Sequence, residues 1–336
     1  MMLDLMARAR NPYGHMDDRC CIHVGLPKTA TTMLQTHLFP HHPQIEYLGK
    51  FSGQRNVFRD AAVRTIIMDL ARGRVFNPDL ERCRRLFLDS VAPALQTGRM
   101  PLLSSEDLSA GGPRRRRARA RNLRAVFGDC RVILTLRHPA RFVESMYLYK
   151  LKEAHFGARR RLGNAPRYFE IDEWLSNEWR RPEKGALAHL EYAQTIEILG
   201  SVFGKKSVGV FLFEQLVEDA DKFVESLCRF IGVDPEKGVR LAAGKRENDR
   251  LTTAQIDRIK TTEESLLRST LFRFSPRTLR QRILGPRVTK GGPAAPAARA
   301  RIPAHWQQRI CELTRAGNRR LMERWNLPLD RYGYPL

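Results

Sequence analysis

The sequence predicts an α/β fold, a mostly parallel sheet with helices on both faces. Two observations carry this. Arg131–Arg137 (RVILTLR) and Ser207–Phe213 (SVGVFLF) are nearly continuous apolar runs, as expected of strands covered on both sides. Long amphipathic stretches alternate with such runs, the order of strand, crossover helix and parallel strand.

The elements follow in order. Cys20–Val24 is a short apolar strand ending at Gly25, and Thr31–Phe39 a helix closed by Pro40. Val57–Arg72 is amphipathic, with Val57, Ala61, Ile66, Ile67 and Leu70 near one face, and Leu80–Leu95 is a further helix. Leu102–Glu106 reads as a strand with a polar C-terminal end. After the strand Arg131–Arg137, His138-Pro139 opens a helix through Met146, Tyr147 and Leu151. Ala186–Phe203 reads as one helix before the strand Ser207–Phe213. Ala220–Ile231, Ile256–Leu271 and Ala304–Trp325 complete the helices. Residues 285–303, rich in Gly, Pro and Ala, form a loop before the last of these. With no internal repeat and no clear hinge, residues 20–336 read as one domain with helical additions, and residues 1–19 as an N-terminal arm.

Composition narrows the class. The chain has 336 residues, 42% apolar and 28% charged, which suits a globular protein and excludes a mainly disordered, collagenous or coiled-coil chain. No stretch reaches the roughly 18 uninterrupted apolar residues of a membrane span. The N-terminus lacks the apolar core of a signal peptide, so a cytoplasmic location is expected. The six cysteines (20, 21, 83, 130, 228 and 311) are scattered, with no C-x-x-C or zinc spacing, and read as reduced core thiols. Cys20 and Cys21 face opposite sides of a strand. His37, His41 and His42 are close in sequence, but Pro40 breaks the helical spacing, and no metal site is expected.

Charge is the outlying quantity: 59 Lys and Arg against 36 Asp and Glu, a formal +23. Such a surface attracts polyanions or phosphorylated ligands. The densest run, Arg114–Arg117 with Arg119 and Arg121, follows Gly111-Gly112-Pro113 and is expected to be a solvated helix start.

The segment Cys20-Cys-Ile-His-Val-Gly-Leu-Pro-Lys-Thr-Ala-Thr-Thr32 takes a buried strand into a tight loop and then a helix. Lys28 and the hydroxyls of Thr29, Thr31 and Thr32 thereby meet unpaired backbone N–H groups, which makes an anion site. The loop departs from G-x-x-x-x-G-K-[ST], since Lys28 follows Pro27. Gly204-Lys-Lys-Ser207 departs too, with Leu199 in the required glycine place and the helix–strand order reversed.

Gly25–Thr32 resembles the 5′-phosphosulfate loop of the PAPS-dependent sulfotransferases (PAPS is 3′-phosphoadenosine 5′-phosphosulfate). That loop commonly reads P-K-[ST]-G-[ST]-[ST], and here Ala30 replaces the glycine. If that position needs a positive φ, Ala costs about 1 kcal/mol; if it lies in the helix, Ala is harmless. The family's 3′-phosphate motif is similar to a second segment, in which the strand Val132–Leu136 ends at Arg137, Pro139 opens a helix, and Ser145 lies eight residues after the arginine. Arg at a strand end can grip a phosphate with two bonds. Fainter likenesses are Tyr192 in His189-Leu-Glu-Tyr-Ala, Phe211-Leu-Phe-Glu-Gln-Leu with Phe213 in the usual Tyr place, Lys290-Gly-Gly in the place of a basic loop over the cofactor, and Asp330-Arg-Tyr-Gly-Tyr334-Pro.

The resemblance implies a P-loop-like three-layer fold and in-line transfer of a sulfuryl group from PAPS to an acceptor hydroxyl or amine, leaving PAP. It implies that Lys28 stabilises the leaving phosphate and that residues 29–32 (Thr29, Ala30, Thr31, Thr32) hold the 5′-phosphate. Arg137 and Ser145 would hold the 3′-phosphate, Tyr192 and Lys290 would line the cofactor, and no metal is required. A base must take the acceptor's proton. Glu106, at a strand end facing the ligand crevice, is preferred to Glu46, downstream of the first helix. A carbohydrate acceptor, possibly acidic, is expected; specific nucleic-acid binding is not. The competing readings are a nucleotide-dependent kinase or NTPase, disfavoured by Arg137 where a Mg²⁺-holding Asp is expected, and a basic nucleic-acid-binding protein, for which no helix-turn-helix, zinc-finger or RNP pattern is present.

Overall fold

The computed structural model describes residues 20–49, 58–72, 76–156, 168–183, 185–245, 251–264 and 298–336. Five strands form one sheet: β1 (Cys21–His23), β2 (Ile45–Tyr47), β3 (Met100–Ser104), β4 (Arg131–Leu136) and β5 (Val208–Leu212). Their spatial order is β2-β3-β1-β4-β5, and every pairing is parallel.

Alternation along the strands sorts their side chains between two cores. Ile22, Val132, Leu134 and Leu136 join the larger cluster with Phe87, Phe127 and Trp306. Cys21, Leu102 and Ile133 join the smaller one with Phe39, Leu227 and Ile231. The sheet is thus covered on both faces, the expected three-layer α/β arrangement. Cys20 and Cys21 do fall on opposite faces, and all six thiols are free.

The helices are α1 (Thr31–Met33, continued by a π-turn Leu34–Leu38), α2 (Ala61–Ile67), α3 (Leu80–Gln96), α4 (Pro113–Phe127), α5 (Pro139–Phe156), α6 (Ile171–Trp179), α7 (Tyr192–Phe203), α8 (Phe213–Glu218), α9 (Ala220–Ile231), α10 (Pro235–Ala242), α11 (Thr253–Glu264) and α12 (Ala304–Trp325). The reasons are local. Asp60, Asp79, Asp219 and Asp234 cap α2, α3, α9 and α10 by accepting from backbone N–H groups, and Gly232 closes α9 in the left-handed region.

Several expectations shift. The segment 186–203 is not one helix: a 3₁₀ turn (Ala186–Leu190) precedes α7, and Glu191 separates them. The strand β2 and the helices α6, α8 and α10 come from segments too short to announce themselves by periodicity. Part of the helix expected at 256–271, the arm 1–19 and most of the loop 285–303 lie outside the described residues.

The arginine run is not wholly solvated. Arg116 and Arg119 are buried, while Arg114, Arg115, Arg117 and Arg121 are exposed. Arg119, 1% exposed, donates to the carbonyls of Leu70, Ala71, Leu108 and Ala110. Arg116 donates to Gly111 and Ala188 carbonyls, to Thr195 Oγ1 and to Glu191. Among the described residues no helix is long and apolar enough to cross a membrane.

Candidate active site

Strand order places the site. The chain leaves β1 toward β2 and β3 on one side, and leaves β4 toward β5 on the other. In open parallel sheets a ligand crevice is expected beyond the C-terminal ends of the strands where the connections diverge, here β1 and β4. Backbone bonds continue this pairing past the strands: Val24 N–H donates to Ile133, Leu26 N–H to Thr135, and Thr135 N–H to Gly25. The loop after β1 and the turn after β4 are thus held side by side.

The first loop is built by two left-handed residues, Lys28 (φ 66°) and Ala30 (φ 67°). The structure settles the alternative at Ala30. It precedes the helix in the left-handed region, so its Cβ is strained by about 1 kcal/mol. Reversing the chain at two nearly consecutive residues turns backbone N–H groups toward one concavity, a cradle suited to an anion. The buried Thr29 hydroxyl closes the loop from within, donating to Leu26 O at 2.6 Å. Thr31 Oγ1 donates to Glu106 Oε1 at 2.7 Å, and Thr32 is the exposed member of the three. The Lys28 ammonium lies 4.2 Å from the centroid of the Tyr149 ring.

The second unit meets the first. Arg137, just past β4 and 7% exposed, donates from Nη1 to the Lys28 carbonyl at 3.0 Å. Its guanidinium carbon lies 4.5 Å from the centroid of the Phe213 ring. The turn is braced from behind. Tyr192 OH donates to the Arg137 carbonyl at 2.7 Å, and His138 N–H donates to Glu214 Oε1. Glu214 Oε2 in turn accepts from Tyr334 OH, and the His138 ring contacts Gly333 O. Burial drives the Tyr192 phenol well above its usual pKa, so it stays a donor. Ser145, 9% exposed, sits on α5 eight residues after Arg137. Tyr149 lies one turn further along α5, four residues on, and so shares the face of Ser145.

The two candidate carboxylates part here. Glu106 begins the 3₁₀ turn Glu106–Ser109, directly after β3. A Cβ placed on Gly25 would meet Glu106 Cα at 3.3 Å, so the glycine is what allows this approach. Below Glu106 lies a buried polar cluster. His23 Nδ1 and Gln35 Nε2 both reach Ser104 Oγ, at 2.8 and 2.9 Å. Burial pushes the His23 imidazole down to about 4, against the opposing pull of the Glu106 charge, so His23 is neutral near pH 7. Glu46, in contrast, sits within β2, level with Pro101. That is on the order of 15 Å below Glu106 along the strand direction. Arg59 and Arg99 grip it at 2.6 and 2.8 Å beside a 520 Å³ cavity.

Arg137 contacts Lys28 and Glu106 contacts Thr31, so the two pairs meet the same loop three residues apart, with Tyr192 behind Arg137; Glu46 is instead held by Arg59 and Arg99. Lys290 lies outside the described residues. Sequence reasoning missed Tyr149, His23 and Arg119. Tyr149 had a usable signal, its i+4 spacing from Ser145; nothing in the run 114–121 distinguishes Arg119.

The model of a family described as the sulfotransferase family matches residues 22–237, more than half of the chain. No curated protein matches. Among solved structures, a sulfotransferase from Alicyclobacillus acidocaldarius is 19% identical, with 80% of this chain and 95% of that one covered and a TM-score of 0.44. The sulfotransferase domain of the Synechococcus PCC 7002 olefin synthase is 15% identical, covering 70% and 81%, with a TM-score of 0.39. A mouse sulfotransferase complexed with PAP is 11% identical, covering 70% and 71%, with a TM-score of 0.37. On the family match, the chain belongs to the sulfotransferase family.

Proposed function

We propose that the protein transfers a sulfuryl group from PAPS to a hydroxyl or amine of an acceptor, with Glu106 as base. The observation that carries this reading is the contact between the two phosphate motifs. The Arg137 guanidinium touches the Lys28 carbonyl, so a strand-end cation and a phosphate loop face one crevice. Two anions a short distance apart on one ligand suit that arrangement, and the 3′- and 5′-groups of PAPS are such a pair.

PAPS supplies the sulfuryl group and a phosphate leaving group. The chain's residues do the rest. The loop N–H groups of residues 29–32 hold the 5′-phosphate, with the exposed Thr32 hydroxyl at hand. Lys28 brings a mobile positive charge to the bridging oxygen where negative charge develops. Arg137 and Ser145 hold the 3′-phosphate and separate PAPS from nucleotides without one. Tyr192 fixes the Arg137 turn from behind rather than from the crevice. Thr31 holds the Glu106 carboxylate beside the loop, where it accepts the acceptor's proton. Glu46, paired with Arg59 and Arg99 within β2, is the less favoured candidate for this task. A carbohydrate acceptor suits the basic surface, and the +23 charge favours an acidic one.

Calorimetry with PAP, AMP and ATP tests the reading. Tight PAP binding, much weaker AMP binding and loss of the difference in Arg137→Ala are expected. Equal affinity for PAP and ATP overturns it.

A further inference from the structure

The reading above gives Arg137 one task, recognition of the 3′-phosphate; its surroundings give it a second. Lys28 and Ala30 hold left-handed backbone that side chains with a Cβ adopt only at a cost. Such a loop keeps its shape only if contacts over-determine it. Two side-chain contacts to the loop's carbonyls stand out: Thr29 Oγ1 to Leu26 O from inside, and Arg137 Nη1 to Lys28 O from outside. The arginine is itself held. Phe213 lies under its guanidinium, Tyr192 takes its carbonyl, and Glu214 takes the next N–H. A cation stacked on Phe213, rising from a backbone turn pinned by Tyr192 and Glu214, thus braces the carbonyl of the very residue whose ammonium serves the reaction. A guanidinium offers five N–H donors in one plane, enough to hold a carbonyl and an anion together.

We infer that Arg137 is a positioning residue for the phosphate loop as well as a ligand for the 3′-phosphate, and so couples the two anion sites. This deepens the function proposed above and rests on it for the identity of the ligand. Coupling is reciprocal: an anion that fixes Arg137 favours the loop geometry, and an anion in the loop favours Arg137. Removing Arg137 should then harm a ligand that carries no 3′-phosphate at all.

The experiment has two arms. The first is hydrogen–deuterium exchange of the loop amides, residues 26–33, in the ligand-free protein. The second is calorimetry with AMP and PAP. Wild type is compared with Arg137→Ala, and with Ser145→Ala, which alters the 3′-phosphate side without a contact to the loop carbonyls. Loss of a charge-assisted hydrogen bond corresponds to about tenfold. Arg137→Ala is therefore expected to raise loop exchange and to weaken AMP about tenfold each, with exchange in α12 unchanged. Ser145→Ala should weaken PAP and leave AMP affinity and loop exchange at wild-type values. Should Arg137→Ala not fold, Arg137→Gln keeps part of the side chain and a neutral donor and should show the same changes, smaller in size. Loop exchange and AMP affinity that stay at wild-type values in a folded Arg137 variant overturn the coupling. A wild type that binds PAP no tighter than AMP is a different result. It defeats the 3′-phosphate reading, and loop exchange still decides the coupling.

Discussion

Glu46 and Glu106 are the same residue type, both follow the phosphate loop in sequence, and they lie in and just after neighbouring parallel strands, β2 and β3, at one side of the sheet. Their surroundings give them opposite characters. Glu46 lies within β2 and is neutralised by Arg59 and Arg99. Glu106 lies beyond β3, reached by a neutral hydroxyl from the phosphate loop and set above a buried, uncharged histidine. Both oxygens of the Glu46 carboxylate are thus engaged by guanidiniums. The Glu106 carboxylate accepts a hydrogen bond from the Thr31 hydroxyl, beside the loop that follows β1. Height along the strand decides which arrangement a glutamate meets.

The largest expected effect breaks this comparison most directly. Glu106→Gln removes the proposed base and keeps the shape. A positioned general base contributes about 10²–10⁴-fold. Transfer of a labelled sulfuryl group from PAPS to an acidic-glycan acceptor pool should fall by that order, with PAP affinity unchanged. Unaltered transfer in Glu106→Gln assigns the proton to another group and ends the distinction drawn here.

Next in size is the support under Glu106. Arg119 fastens Leu108 and Ala110, at the end of the Glu106–Ser109 turn, to Leu70 and Ala71 in the π-helical turn that follows α2. Its burial lowers the guanidinium pKa to about 10, still charged near neutrality. Arg119→Met leaves four buried carbonyls short of a donor, and each unsatisfied group costs about 1–3 kcal/mol. Even with relaxation, a loss of about 3 kcal/mol in urea unfolding is expected, and transfer should weaken with it. A change within 1 kcal/mol would show that water takes over the clamp.

His23 adds a pH signature to the Glu106 side. Its pKa falls from 6.5 to about 4 on folding, so the unfolded chain binds the extra proton first. The stability from keeping His23 neutral is complete above pH 6.5 and is lost as pH falls toward 4. The full loss is about 3 kcal/mol. Removing the nearby charge in Glu106→Gln should carry the decline to lower pH, because the pull that raises the His23 pKa is gone. Glu46→Gln should leave the curve where it is. Denaturant midpoints carried from pH 7 down to about pH 3 separate the two variants, the difference opening below pH 4.

How much of this was legible depends on the range of the interaction concerned. The strand-to-loop passages at Cys20–Thr32 and Arg131–Pro139 are local, and sequence spacing alone set Lys28 in the loop after the first strand, Arg137 at the end of β4 and Ser145 on the helix that follows. The pairing of β1 with β4 is what brings these passages together, and that needs the strand order. Glu106 against Glu46 was an open choice because register, not composition, sets their heights. Arg116 and Arg119 were hidden in a run of like residues. On a helix, a shift of three positions carries them inward while Arg114, Arg117 and Arg121 face water. The break at Glu191 was hidden for a related reason, since Arg116 reaches its side chain and ends the 3₁₀ turn from another helix.

Thr31→Val tests the contact that distinguishes Glu106 at its own oxygen. It deletes one hydrogen bond, worth about 1 kcal/mol, so transfer should fall about fivefold. Thr31→Ser keeps the donor and should restore it. The pH–rate profile carries further information, because a base that loses a hydrogen bond to its charged form titrates higher. The acid limb should therefore move to higher pH in Thr31→Val, a shift that mere loosening of the loop does not produce.

Glu46→Gln is expected to have the smallest effect on chemistry and completes the comparison. The substitution leaves the two guanidiniums without their shared anion. Arg59 keeps Asp60 and the Ser90 carbonyl, and Arg99 keeps the Ile45 carbonyl, so neither is stranded. The side chains are partly solvated, at 20% for Glu46 and 25% and 41% for the arginines, so the pairing is worth about 1 kcal/mol or less. A small fall in unfolding free energy with unchanged transfer is the result that agrees with a brace. A hundredfold loss of transfer with stability intact would place the base in β2, and the crevice would then have to be sought beside the Arg59 cavity rather than between β1 and β4.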